Sequence, residues 1–108
     1  MLDYLSKNLD VDVFLEVPPR PPKKFVTIEK TGSGRRNYID SATIAFQSWS
    51  ATSKYEAAEL NDKVKQVIFD SIKEPNISRA ELNSDYDYTD TSTKKYRYQA
   101  VFDITYFD

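Results

Sequence analysis

The sequence predicts an α+β domain: a mostly antiparallel β-sheet packed on one long helix, with a short N-terminal helix and a C-terminal β-hairpin. Three observations carry that prediction. Ala57, Leu60, Val64, Val67, Ile68 and Ile72 recur at helical spacing, with Glu59, Asp62, Lys63, Lys65, Gln66 and Asp70 opposite them. Tyr96, Tyr98, Ala100, Phe102, Ile104 and Tyr106 alternate with mostly polar Arg97, Gln99, Asp103 and Thr105, the period of a strand with one buried face. Finally, 108 residues that are 40% apolar, with six Phe, eight Tyr and one Trp, supply one core and not two. Residues 1–108 therefore read as one domain.

In chain order, Leu2, Leu5 and Leu9 make about two turns of helix, too short to stand without docking. Val11, Val13, Leu15 and Val17 alternate on one face of a first strand, which Pro18-Pro19-Arg20-Pro21-Pro22 ends as a stiff connector. Phe25–Thr31 predicts a second strand. Gly32-Ser33-Gly34-Arg35-Arg36-Asn37 holds both glycines of the chain and reads as a mobile loop. Ala42–Trp49 predicts a third strand, with Ala42, Ile44 and Phe46 on one side and Trp49 on the other, partly covered. Ser53 and Glu56 form a capping-box pattern that starts the long helix near Lys54, and Pro75 closes it after about twenty residues. Ile77 through Tyr88 is the first arm of a hairpin, Asp90–Lys94 the turn, and Tyr96 onward the second arm.

Composition excludes much chemistry. The chain has no histidine and no cysteine, which removes thiol nucleophiles, imidazole acid–base catalysis, disulfides and zinc sites of the usual ligands. A formal charge of −2 does not fit a strongly basic nucleic-acid binder. The apolar runs fall far short of the ~20 residues of a membrane span, and the first residues lack the pattern of a signal peptide. Synthesis in the cytoplasm and no membrane association are expected.

The local motifs read as structural. Thr31–Arg36 lacks the lysine of a P-loop and the third glycine of a dinucleotide fingerprint, and it joins two strands. Asp85 and Asp87 stand at alternate positions as a calcium loop begins, but counted from Asp85 the required glycine and glutamate positions hold Asp90 and Tyr96. Paired carboxylates could act as acid and base only in a cleft that raises one pKa, and the acidic residues here lie in polar surroundings. No catalytic, cofactor-binding or metal residue is nominated.

Charge distribution is more informative than the total. From Pro18 to Arg36 six basic residues face Glu29 alone, a net of +5; from Glu81 to Asp90 four acidic residues stand with no base, a net of −4. Arg20, Lys23, Lys24, Arg35 and Arg36 on one side, and Asp85 and Asp87 on the other, are candidate inter-subunit or partner contacts for a head-to-tail assembly. The alternative is ordinary solvated charge.

One ordered set of segments spans nearly the whole chain: Val11–Pro18; the proline gap; Arg20-Pro21-Pro22-Lys23-Lys24-Phe25-Val26-Thr27-Ile28-Glu29-Lys30-Thr31-Gly32; Ala42–Ala51 with its Gln47-Ser48-Trp49; Glu56-Ala57-Ala58; and Tyr96–Ile104. It resembles the tail terminator proteins of long-tailed bacteriophages and prophages, also called tail completion or tail-to-head joining proteins. The resemblance implies an antiparallel sheet with helices on one face. It further implies a non-enzymatic, cofactor-free virion protein, assembled in the host bacterial cytoplasm. As a hexameric ring, which can be monomeric before assembly, such a protein caps the head-proximal end of the tail tube. The ring ends tube polymerisation and docks the head-completion protein, and DNA passes through it without sequence-specific contact. A neighbouring head-completion or adaptor connector, or a generic small ligand- or protein-binding α+β module, is the alternative. The generic module predicts one well-formed apolar pocket.

Overall fold

Strand length sets the shape of this molecule. The computed structural model describes residues 2–36, 39–73, 77–89 and 95–107. Within them α1 (Leu2–Asn8) leads to β1 (Asp12–Phe14), β2 (Lys24–Arg36), β3 (Ile39–Ser50), α2 (Lys54–Phe69) with a 3₁₀ turn (Asp70–Lys73), β4 (Ile77–Asp87) and β5 (Tyr96–Phe107). Thirteen residues of β2 extend about 43 Å at ~3.3 Å per residue, which accounts for the longest dimension of 45 Å. The sixteen residues of α2 reach only about 24 Å. The helix therefore covers part of the sheet.

The sheet order is β1-β2-β3-β5-β4. β1 runs parallel to β2, and every other pair is antiparallel. The α+β class and largely antiparallel pairing thus match the sequence prediction. β3 and β4, joined through α2, point the same way but do not pair, because β5 inserts between them.

Alternation divides the sheet into two faces. Val26, Ile28, Ala42, Ile44, Phe46, Ala100, Phe102 and Ile104 face the helices and join Leu5, Leu60, Val64 and Ile68 in one buried cluster. Phe102 is its pivot: Phe46 meets it edge-on at 5.9 Å and Phe69 at 5.2 Å between ring centroids. α1 docks through buried Leu5, and the Tyr4 hydroxyl donates to the Val67 carbonyl on α2 at 2.8 Å. Ser53 caps α2 as its pattern predicts, its hydroxyl accepting from the Glu56 amide. Two buried polar atoms, Ser48 Oγ and Asn61 Oδ1, have no hydrogen-bond partner among the described residues.

Three sequence expectations change. The first strand ends at Phe14 rather than Val17, and Leu15 and Val17 are exposed, because β1 can pair only until the connector turns the chain back towards Lys24. Gly32 through Arg36 forms strand rather than a mobile loop: β2 continues through both glycines, with a register shift between Lys30 and Gly32 that absorbs one residue. Asn37 lies outside the described residues, as do Pro75, the predicted helix stop, and the Asp90–Lys94 turn. The α-helix itself ends at Phe69 and passes into the 3₁₀ turn, and Ile72, assigned to the apolar stripe, is 54% exposed as a consequence. Trp49 lies on the face away from the helices, as expected, and is buried there at 9% exposure.

Replacing Phe46, which is fully buried, with Ala is expected to cost about 3–5 kcal/mol. Ile72→Ser, at an exposed position on the 3₁₀ turn, is expected to stay within about 0.5 kcal/mol. Urea denaturation of both variants measures the contrast.

Candidate protein-interaction surface

The sheet face turned away from the helices carries the most organised side chains outside the core. Phe25, Thr27, Glu29, Gln47, Trp49, Arg97 and Gln99 project there by alternation from β2, β3 and β5. The Thr27 hydroxyl, 2% exposed, accepts from the Trp49 indole N–H at 2.9 Å and donates to Gln47 Oε1 at 2.6 Å. The Gln47 amide donates to Glu29 at 3.2 Å and to Gln99 Oε1 at 2.9 Å. Gln99 in turn donates to the Tyr86 hydroxyl on β4. This chain of hydrogen bonds crosses four strands and satisfies polar groups that their neighbours shield from water.

An aromatic row runs beside it. Phe14 meets Phe25 edge-on at 5.9 Å, and Phe25 stacks on Trp49 at 5.5 Å with an interplanar angle of 5°. The Arg97 guanidinium continues the row, its carbon 4.5 Å from the Trp49 ring centroid and 4.1 Å from that of Tyr88. Tyr86 and Tyr88 close it edge-to-face at 5.6 Å, both more than 40% exposed. Each ring covers the next, and for that reason Trp49 and Phe25 are buried on a face no helix covers.

The residues nominated from charge are not assembled into one site. Asp85 lies on the helix side of β4, where it accepts from Asn61 at 2.7 Å and pairs with Lys65. Asp87 pairs with Lys54 at 2.8 Å and accepts from both the hydroxyl and the amide of Thr89. The hydrogen bond from Lys54, then those from Thr89, bring the Asp87 carboxyl from 3.8 to about 2. The hydrogen bond that Lys54 donates to Asp87 raises the lysine's own pKa, and the one that Lys65 donates to Asp85 raises that of Lys65. The acidic segment is thus largely neutralised by α2 and, at Glu81, by Arg79. On the basic side, Arg20 and Lys23 are exposed on the connector, and Lys24 approaches Glu56 at 3.9 Å. Arg35 and Arg36 lie at the end of β2 opposite Asp40 and Ile39, their side chains outside the described residues.

A second polar knot holds the middle of the β4–β5 pair. Asp103 accepts from Asn83 at 3.0 Å and from Thr43 at 2.8 Å, and these bonds lower its pKa. Among the described residues no three acidic side chains gather into a group that could hold a metal ion, and no helix is long and apolar enough to cross a membrane.

Sequence reasoning missed the Gln47–Gln99–Tyr86 chain and the role of Arg97. Position 97 is visible only as one polar residue among others in an alternating strand. The available signal is Trp49, a large aromatic at the outward parity of a strand whose inward row was already full. No protein-family model matches this chain, and no curated protein matches it.

Two predictions follow from these contacts. Because the folded pKa of Asp87 is depressed, the stability it contributes is present above the unfolded value near 3.8 and is lost as pH falls towards about 2. Asp87→Asn is therefore expected to destabilise the protein at pH 7 and to narrow the gap to wild type between pH 4 and 2, read from thermal melts. Thr27→Val leaves the buried Trp49 N–H and one Gln47 oxygen unpaired. It is expected to cost about 1–3 kcal/mol and to shift the Trp49 indole N–H resonance in the ¹H–¹⁵N NMR spectrum.

Proposed function

We propose that this protein is a non-enzymatic virion component of the tail-terminator class. As a homo-oligomeric ring it caps the head-proximal end of a phage tail tube, ends tube polymerisation and docks the head-completion protein. The ordered sequence resemblance is the main support. The geometric observation that fits it best is the pair of unlike sheet edges: three residues of parallel β1 on one side and eleven residues of antiparallel β4 on the other. A closed ring needs heterologous contacts, in which two different surfaces of one subunit meet across each boundary. A sheet with two dissimilar flanks offers such a pair. β1 pairs β2 only from Phe25 to Thr27, and the far end of β2 on that side, bearing Arg35 and Arg36, is assigned to ring or partner contacts in this reading, with Arg20 and Lys23 on the connector and Lys24 at the start of β2.

Mixing the purified protein with uncapped tail tubes, followed by electron microscopy, tests the assignment. The expected result is six copies at the head-proximal tube end and arrest of further tube growth. Any other location overturns it. Charge reversal of Arg35 and Arg36 together is expected to abolish oligomerisation or tail joining. If both persist, those two residues have no contact role.

A further inference from the structure

Arg97 is held in a fixed pose, yet among the described residues no acid answers it. Its guanidinium lies between the Trp49 and Tyr88 rings, and its Nε donates to the Tyr88 carbonyl at 3.1 Å. The backbone beneath is pinned to the segment after β4 by two bonds: the Tyr88 amide donates to the Arg97 carbonyl at 2.7 Å, and the Arg97 amide donates to the Thr89 hydroxyl at 3.2 Å. Among the described residues neither an ion pair nor a hydrogen bond engages the two terminal nitrogens. An arginine normally loses much rotamer freedom when it grips a ligand, and here the fold has already removed that freedom.

We propose that Arg97 is the anchor of a binding site for a carboxylate-bearing segment of a partner protein, with exposed Tyr86 and Tyr88 as its apolar wall. The planar fork of terminal N–H groups matches a carboxylate two-to-two. Trp, Tyr and Arg in contact are the composition of an interface hot spot, and here they form one corner of the open face.

Charge separates a carboxylate from a phosphate backbone. On the strands of this face Arg79 and Glu81 neutralise each other, and Asp12, Glu29 and Asp103 outnumber Arg97 and the exposed Lys95 that precedes β5 at the same parity, the two cations without a carboxylate partner among the described side chains here. Glu29 is opposite Ala45, four positions from Trp49 and so about 13 Å along the strand, and Asp103 is six positions from Arg97, about 20 Å. One monovalent carboxylate fits at Arg97 beyond the reach of close repulsion. A polyanion laid across the sheet would meet all three acids.

The proposal is independent of the tail-terminator reading, since it rests on this corner alone. Trp49 is the sole tryptophan, so its fluorescence reports the site directly. The intact protein is titrated at fixed ionic strength with capped Ala-Glu-Glu-Ala, with the isosteric Ala-Gln-Gln-Ala, and with inorganic phosphate. The expected result is a saturable change with the Glu peptide and responses at least about tenfold weaker with the other two. Arg97→Lys, which keeps the charge and loses the fork, is expected to weaken the Glu peptide by about tenfold. No saturable response, or a Gln peptide that acts equally, overturns the proposal and leaves Arg97 a clamp of the hairpin. Phosphate binding as tight as the Glu peptide also overturns it, in favour of a phosphate-bearing ligand. If Arg97→Lys fails to fold by circular dichroism, the three wild-type titrations still decide.

Discussion

The pairing of β3 with β5 is the interaction on which the rest of the molecule depends. It joins twelve residue pairs, from Ile39 with Phe107 to Ser50 with Tyr96, and it brings the last strand of the chain into the middle of the sheet. Both faces are built across that seam. On one side Phe46 and Phe102 meet under α2; on the other Gln47 bonds Gln99 and Trp49 lies against Arg97. Because the partners are 46 to 68 residues apart, the seam requires long-range closure, and neither face can be completed until β5 is in place.

The two faces solve the problem of a central strand differently. The helix side is satisfied by volume, with aliphatic and aromatic side chains filling the space under α2. The open side has no covering layer, so its side chains shield one another: rings overlap in sequence and glutamines share donors and acceptors across strands. That arrangement buries Thr27 and Gln47 nearly as deeply as core residues. It also leaves its outer end, at Tyr86, Tyr88 and Arg97, facing solvent as the part of the face able to meet another molecule.

The charge pattern has a different meaning in three dimensions than along the chain. A +5 segment and a −4 segment suggest attraction between subunits. Folding instead supplies Asp85 and Asp87 with Lys65 and Lys54 from α2, so the acidic arm is answered from within. Lys65 stands on the polar side of the helix pattern and Lys54 opens the helix, and in neither place does sequence indicate what the side chain faces. Among the described residues the basic connector has no comparable set of internal acids, and Arg20 and Lys23 remain exposed.

Periodicity by itself determined the class, the long helix with its Ser53 cap, the six-position alternation of β5 and the inward row of β3. Each depends on spacing within one segment, which the backbone geometry of helix and strand enforces locally. Only tertiary structure decided the rest. The order β1-β2-β3-β5-β4, the end of β1 at Phe14, and the passage of β2 through Gly32 and Gly34 all depend on which backbone is available to pair. Ile72 left the core because α2 gives way to a tighter turn three residues before it. Arg97 became a site for the same kind of reason: Trp49 and Tyr88 lie forty-eight and nine residues away, and only the sheet register places one ring on each side of its guanidinium.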